Sequence, residues 1–308
     1  MKRDLRLPLA VQGRLDRALA DALGLGRAVV KRAFRLGGVR VAGKRARASD
    51  AAVPGSLVTV EVEAPVQAPA PEPDAPLTVL AVHPRVGVVD KPAGVAVHPL
   101  APGEGGTLAN AVVARFPECA EASPDAREGG AVQRLDLETS GCLAFARDRE
   151  AWEEIHGALR ERRVEKVYLA LVTGRVTAGG VISTPLAQRG GRAVPAPDAV
   201  AEERLLAKGV RPRPAETRYE PVRRFERHTL LEVRILTGVT HQIRAHLAHV
   251  GHPVAGDALY GGEAAALPGL RRQFLHAARL SLEAPGGGRV LAESALPGDL
   301  AAVLERLG

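Results

Sequence analysis

The chain has 308 residues, 46% of them hydrophobic and 25% charged, enough apolar material for a sizeable core and enough length for two domains. No apolar run reaches the length of a bilayer span, the charged beginning with Asp4 and Asp16 is unlike a signal or transit peptide, and Cys119 and Cys142 form no metal or redox spacing. A cytoplasmic protein without a membrane role is therefore expected.

The formal net charge of +7 is concentrated at one end: residues 1–63 hold 13 Lys and Arg against 6 Asp and Glu, and the remaining residues 29 against 29. Such asymmetry points to a polyanion-binding module ahead of an electrically neutral remainder. In that module Leu15, Ala18, Leu19, Ala22 and Leu23 fall on one helical face, which Gly24-Leu25-Gly26 should end. A second helix follows with Val29, Val30, Ala33 and Phe34 facing inward and Arg27, Lys31, Arg32 and Arg35 outward. Gly37-Gly38 then turns the chain into a strand at Val39-Arg40-Val41, a turn carrying Gly43, Lys44 and Arg45, and a later strand Leu57–Val60. Over residues 13–63 this layout resembles the S-four RNA-binding domain, and the resemblance makes Arg27, Lys31, Arg32, Arg35, Lys44 and Arg45 the expected RNA contacts. Residues 64–76, rich in Pro and Ala, read as an extended linker, with a second domain over residues 77–308.

Four segments of the second domain carry the chemistry. Val89–Pro99, VDKPAGVAVHP, follows an apolar strand and turns at its prolines and glycine. Gln133–Gly141, QRLDLETSG, sets Arg134 two residues before Asp136 and turns sharply, with apolar flanks at Ala131-Val132 and Leu143–Ala146. Glu165–Gly174 alternates as a half-buried strand and ends in a turn glycine, and Leu236–Gly261 reads LTGVTHQIRAHLAHVGHPVAGDALYG. Each segment alone is weak; together and in this order they closely resemble the RluA-type family of RNA pseudouridine synthases.

The resemblance implies an α+β fold, with a mixed, largely antiparallel sheet and a central cleft for RNA. It implies Asp136 as the catalytic aspartate, Arg244 as the arginine paired with it, Tyr168 as the residue stacking on the target base, and Arg134 as the side chain that fills the gap left by a flipped uridine. Gln133, His241 and Gln242 fall beside these as substrate-binding positions. The chemistry is self-sufficient: isomerising uridine breaks the bond from ribose to base nitrogen and rejoins the base through carbon, with no redox change. One carboxylate acting as nucleophile or base can serve it, and a fixed guanidinium beside it would keep the acid ionised. The sequence departs from the family at Gln133, where a histidine is usual, and at Val239, where an arginine is usual.

Other features point elsewhere only weakly. His246, His249 and His252 have metal-like spacing but no matched Cys or carboxylate ligands, and no metal is expected. Gly190-Gly191 and Gly286-Gly287-Gly288 sit in polar turns rather than in a phosphate loop, so no cofactor is expected. Residues 188–214, rich in Arg, Gly and Pro, read as a long loop near the RNA path. Tyr260 is expected to bury its ring and keep a polar tip. The resulting expectation is a monomeric RNA pseudouridine synthase acting on large-subunit ribosomal RNA, with transfer RNA second. A binding-only ribosome-assembly factor is the alternative that Gln133 and Val239 suggest. An Asp/His hydrolase using Asp136 and His241 lacks a nucleophile elbow.

Overall fold

The computed structural model describes residues 2–23, 27–61 and 67–308. The expected end of the first helix at residues 24–26 and the start of the linker fall outside them. The chain divides into two units, Met1–Val66 and Gln67–Gly308.

The first unit runs β1 (Lys2–Arg6), α1 (Leu15–Leu23), α2 (Arg27–Arg35), β2 (Val39–Val41), β3 (Lys44–Arg45) and β4 (Leu57–Glu61). Its four strands form an antiparallel sheet in the order β1-β4-β2-β3. Leu15, Leu19, Val30, Ala33, Phe34, Val39, Val58 and Val60 make its core. The helix periodicity predicts this stripe except at two places: Val29 is 43% exposed, because the buried line of α2 runs through Val30, Ala33 and Phe34, and Ala22 near the end of α1 is exposed. Lys31, Arg32, Arg35, Lys44 and Arg45 are all exposed. The Arg27 side chain lies outside the described residues. Strand β1 gives no apolar alternation in the sequence and exists through backbone pairing along β4.

The second unit runs β5 (Thr78–His83), β6 (Val86–Lys91), α3 (Leu108–Arg115), β7 (Ser140–Ala146), α4 (Arg149–Arg160), β8 (Glu165–Thr173), β9 (Gly180–Ile182), β10 (Leu186–Arg189), β11 (Arg192–Pro195), α5 (Ala199–Leu206), β12 (Thr217–Arg224), β13 (His228–Ile235), α6 (Gln242–His249), β14 (Leu275–Glu283), β15 (Arg289–Glu293) and α7 (Gly298–Leu307). Nine of these strands form one sheet in the order β5-β6-β7-β14-β8-β13-β12-β9, with β15 also beside β14. Only the β7–β14 contact is parallel among the described pairs. The fold is α+β with a mixed, largely antiparallel sheet.

Strand β7 is buried at all seven positions, which explains why SGCLAFA reads as a continuous apolar run rather than an alternation. Leu143 and Phe145 join a core with Val112 of α3, Leu247 of α6 and Leu300 of α7. Cys142, Ala144 and Ala146 join a second core with Ala151, Ile155 and Ala158 of α4. The sheet is thus clamped between helices, and the loop entering β7 is anchored at a central strand.

Two expectations are corrected here. Residues 67–76, read as part of a free spacer, belong to the second unit: Asn110 Nδ2 donates to Ala70 O at 2.8 Å, and the Glu72 carboxylate accepts from Gly106 N at 3.0 Å. Proline-rich backbone has few donors of its own, so one side-chain bond from each direction, Asn110 to the stretch and Glu72 from it, ties it down. Residues 188–214 are not a long loop. Gly190 and Gly191, at φ 56° and 75°, turn β10 into β11, and the Asp198 side chain caps α5 by accepting from Ala201 N at 2.7 Å.

Candidate active site

Asp136 lies in the loop that enters β7, where Thr139 N donates to Asp136 O at 3.0 Å and closes a turn. The loop is held from behind by three buried cations and amides. Lys91, at the end of β6 and 0% exposed, donates through Nζ to Pro92 O (2.8 Å), Val95 O (2.8 Å) and Leu137 O (2.9 Å). Burial pushes its pKa down to about 8. The three carbonyls favour the ammonium, since a neutral amine has only two N–H bonds to offer. Arg272 donates to Glu138 O at 2.9 Å while its Nε and Nη2 grip Asp299 in the first turn of α7. Gln273 Nε2 reaches Thr139 Oγ1 at 3.3 Å, and Ser140 Oγ donates to His276 Nδ1 at 3.0 Å, because Nε2 of that ring donates to Ser294 O. A loop fixed on this many sides presents Asp136 with 19% of its side chain accessible, Arg134 exposed and Gln133 half-buried.

Arg244 of α6 faces that carboxylate. Its Nη1 donates to Asp136 Oδ2 at 2.8 Å, while Nε and Nη2 bind Asp257 bidentately at 2.7 and 2.9 Å. Asp257 has a fully buried side chain and also accepts from Leu259 N and Tyr260 N. Burial opposes the Arg244 charge, but the hydrogen bonds to Asp257 and Asp136 outweigh it and hold its pKa above the ordinary value. Two carboxylates share one guanidinium, so the cluster carries one net negative charge. The Arg244 guanidinium also lies 5.2 Å over the Tyr260 ring. Tyr168 on β8 is 5% exposed. Burial first, and the charge of Asp136 second, raise its pKa, so the phenol stays protonated beside the carboxylate.

His241 begins α6 from the left-handed region at φ 60°, rare for a residue other than glycine. Its Nε2 is 3.9 Å from Asp136 Oδ1, and its Nδ1 is 3.1 Å from Tyr260 Oη. The structure therefore brings Asp136, Arg244, Tyr168 and His241 to one place from widely separated stretches of sequence.

The family described as RNA pseudouridylate synthase matches residues 85–249, which include Asp136, Tyr168, His241 and Arg244. An uncharacterized RNA pseudouridine synthase of Chloroflexus aurantiacus is 39% identical over 97% of this chain and 92% of its own length. The chain belongs to the RNA pseudouridylate synthase family. The ribosomal large subunit pseudouridine synthase D of Xanthomonas campestris is 37% identical, over 96% of this chain and 88% of that protein. Among solved structures, human RNA pseudouridylate synthase domain containing 1 shares the fold, with a TM-score of 0.55 and 23% identity over 76% of this chain and 95% of that one. The protein is thus an RNA pseudouridine synthase, an isomerase.

Within the synthase, Gln242 is placed differently from the sequence expectation. It is 3% exposed; its Oε1 accepts from Thr237 Oγ1 and Val239 N, and its Nε2 donates to Glu216 O and Thr217 Oγ1. With all amide groups engaged inside the protein, it shapes the 237–241 loop instead of reaching a substrate. Val239 packs against a small apolar cluster of Leu186, Ala193, Ala215 and Ala245, beside Tyr260, so the departure from arginine is accommodated by packing. The histidines do not converge: His246 bonds Thr217 and Thr184, and His252 bonds Thr173. Among the described residues no cluster of His, Cys, Asp or Glu could hold a metal ion, and no helix is long and apolar enough to cross a membrane.

Four residues of the synthase site escape sequence reasoning: Lys91, Asp257, Arg272 and Gln273. Lys91 has a signal, since strand alternation puts it on the face of Val89, which is buried. Asp257 has only its position between Gly256 and Ala258 in an otherwise apolar turn. Arg272 and Gln273 follow an irregular loop and carry no periodic mark.

Proposed function

We propose that the enzyme converts specific uridines of large-subunit ribosomal RNA to pseudouridine, with Asp136 as the catalytic carboxylate. The observation that carries the reading is the Asp136–Arg244 contact of 2.8 Å at a partly accessible carboxylate, with Arg244 oriented by buried Asp257. Arg244 sets a fixed positive charge beside Asp136 and holds one oxygen, leaving Oδ1 without a hydrogen-bond partner among the described residues. That oxygen acts as nucleophile or base on the nucleoside. The C1′–N1 bond breaks, C1′ joins C5, the proton on C5 leaves, and N1 gains one, so atoms and electrons balance without a cofactor. Tyr168 stacks on the flipped base and Arg134, exposed at the loop, takes its place in the RNA, offsetting a few kcal/mol of lost stacking.

The substrate class follows from relatives named for the ribosomal large subunit, among them those of Xanthomonas campestris and Pseudomonas aeruginosa. The first unit, S-four-like in sequence layout, supplies phosphate contacts through Lys31, Arg32, Arg35, Lys44 and Arg45. Mapping pseudouridines after incubating the purified protein with large-subunit ribosomal RNA and with transfer RNA tests this. New sites confined to the ribosomal RNA are expected. Modification of transfer RNA alone would refute the substrate assignment, and none in either would refute the activity.

A further inference from the structure

The hydrogen-bond order around Tyr260 fixes which nitrogen of His241 carries a proton. Ala193 N donates to Tyr260 Oη at 2.7 Å, so the phenol oxygen is already an acceptor. Among the described residues, the acceptor within reach of the phenol proton is His241 Nδ1, at 3.1 Å. A ring that accepts at Nδ1 carries its proton on Nε2 when neutral. Nε2 is the nitrogen turned toward the catalytic loop, and its 3.9 Å separation from Asp136 Oδ1 is too long for a hydrogen bond. A donor is thus aimed into the space beside Asp136 with no partner among the described residues, on a side chain 18% accessible and held by a strained left-handed backbone. Burial, reinforced by Arg244, lowers the His241 pKa despite the opposing pull of Asp136 and Asp257, so the neutral ring dominates at neutral pH.

Resting on the assignment of Asp136 above, we propose that His241 is a catalytic hydrogen-bond donor to the departing uracil, and that Tyr260 is the positioning residue that holds its Nε2–H tautomer. When C1′–N1 breaks, the electron pair goes to the uracil and spreads over its carbonyl oxygens. The Asp136–Arg244–Asp257 cluster has one net negative charge and would repel that anion. A neutral N–H pointed at a carbonyl oxygen stabilises it, with no proton changing hands and no added cation to compete for Asp136.

Single-turnover release of tritium from [5-3H]uridine-labelled ribosomal RNA reads the chemistry, since C5 loses its hydrogen as it joins C1′. Asn tolerates the left-handed backbone but is too short to reach the base, so His241→Asn is expected to slow turnover by about 100-fold with RNA affinity unchanged. Tyr260→Phe keeps the ring under Arg244 and removes only the hydroxyl; a slowing of about 10-fold is expected, and the double variant should be no slower than His241→Asn alone. Nitrogen-15 spectra of the imidazole should show His241 protonated at Nε2 in the unmodified protein and a tautomer mixture in Tyr260→Phe. A proton on Nδ1 in the unmodified protein, additive slowing in the double variant, or an unchanged rate in His241→Asn while Asp136→Asn is dead would overturn the proposal. If Asp136→Asn itself stays active, the catalytic reading is what fails, and the spectra still decide the Tyr260–His241 contact.

Discussion

Replacing Lys91 by Met removes a buried ammonium while nearly preserving the side chain's length, and its cost can be worked from the hydrogen bonds. Three carbonyls lose a donor, but Leu137 O keeps a second one, Gly94 N at 2.9 Å, so Pro92 O and Val95 O are the two left without their Lys91 donor. At about 1–3 kcal/mol each, the unpaired carbonyls cost about 2–6 kcal/mol. Against this, the ammonium no longer has to be buried; its pKa falls from 10.5 to about 8, which corresponds to about 3 kcal/mol recovered. The net change therefore lies between about −1 and 3 kcal/mol, so any loss of stability is at most about 3 kcal/mol. Trp152, the single tryptophan, lies on α4 of the second unit, so urea unfolding followed by its fluorescence reports that unit alone. Catalysis should suffer more than stability. Leu137 is next to Asp136, and an ångström of drift in a reacting group costs on the order of 100-fold. Single-turnover isomerisation by the fully folded variant checks this: a rate equal to that of the unmodified protein would show that Lys91 does not hold the loop in its working position.

Three further outcomes are expected. Asp257→Asn turns an amide toward Arg244 in place of a carboxylate, and should destabilise the second unit by about 3–5 kcal/mol, seen as a lower urea midpoint; an unchanged midpoint would show that the buried pair contributes nothing net. Lys166, buried on β8, has its pKa pushed down by burial to about 8 from 10.5, so its charged form is penalised in the folded state. That penalty is fully present below pH 8 and is relieved as pH rises toward 10.5; compared with Lys166→Met, the unmodified protein should gain about 3 kcal/mol across that window, and parallel pH profiles would contradict it. Deleting residues 1–66 should weaken RNA binding and reduce the slope of log affinity against log salt by about 0.7–0.9 for every phosphate that the basic unit neutralises; salt titrations that coincide would mean that it neutralises none.

How much of this the sequence discloses depends on whether a feature is local. The periodicity of α1, the apolar run of β7 and the alternation of β8 are local patterns, so the strand that the Asp136 loop enters and the strand that carries Tyr168 are legible from them. The β10–β11 hairpin is hidden because an Arg-, Gly- and Pro-rich composition masks its two-glycine turn, and α5 because its start rests on the single cap of Asp198. Residues 67–76 look like free spacer because their order comes from Asn110 and Gly106, more than thirty positions away in sequence. The same applies to Asp257 and Arg272: a buried charge is revealed by its partner, and only the fold brings Arg244 or Asp299 into reach. Gln242 shows the reverse error, since its motif suggests substrate contact and burial assigns it to the loop.

The most direct test of Asp136 as the centre is single-turnover tritium release from [5-3H]uridine-labelled large-subunit ribosomal RNA by Asp136→Asn, measured beside the unmodified protein and with RNA binding followed in parallel. Asn has nearly the same volume and can still accept from Arg244, so folding and affinity should be kept while release falls to background. Substantial release by the pure variant would contradict the assignment.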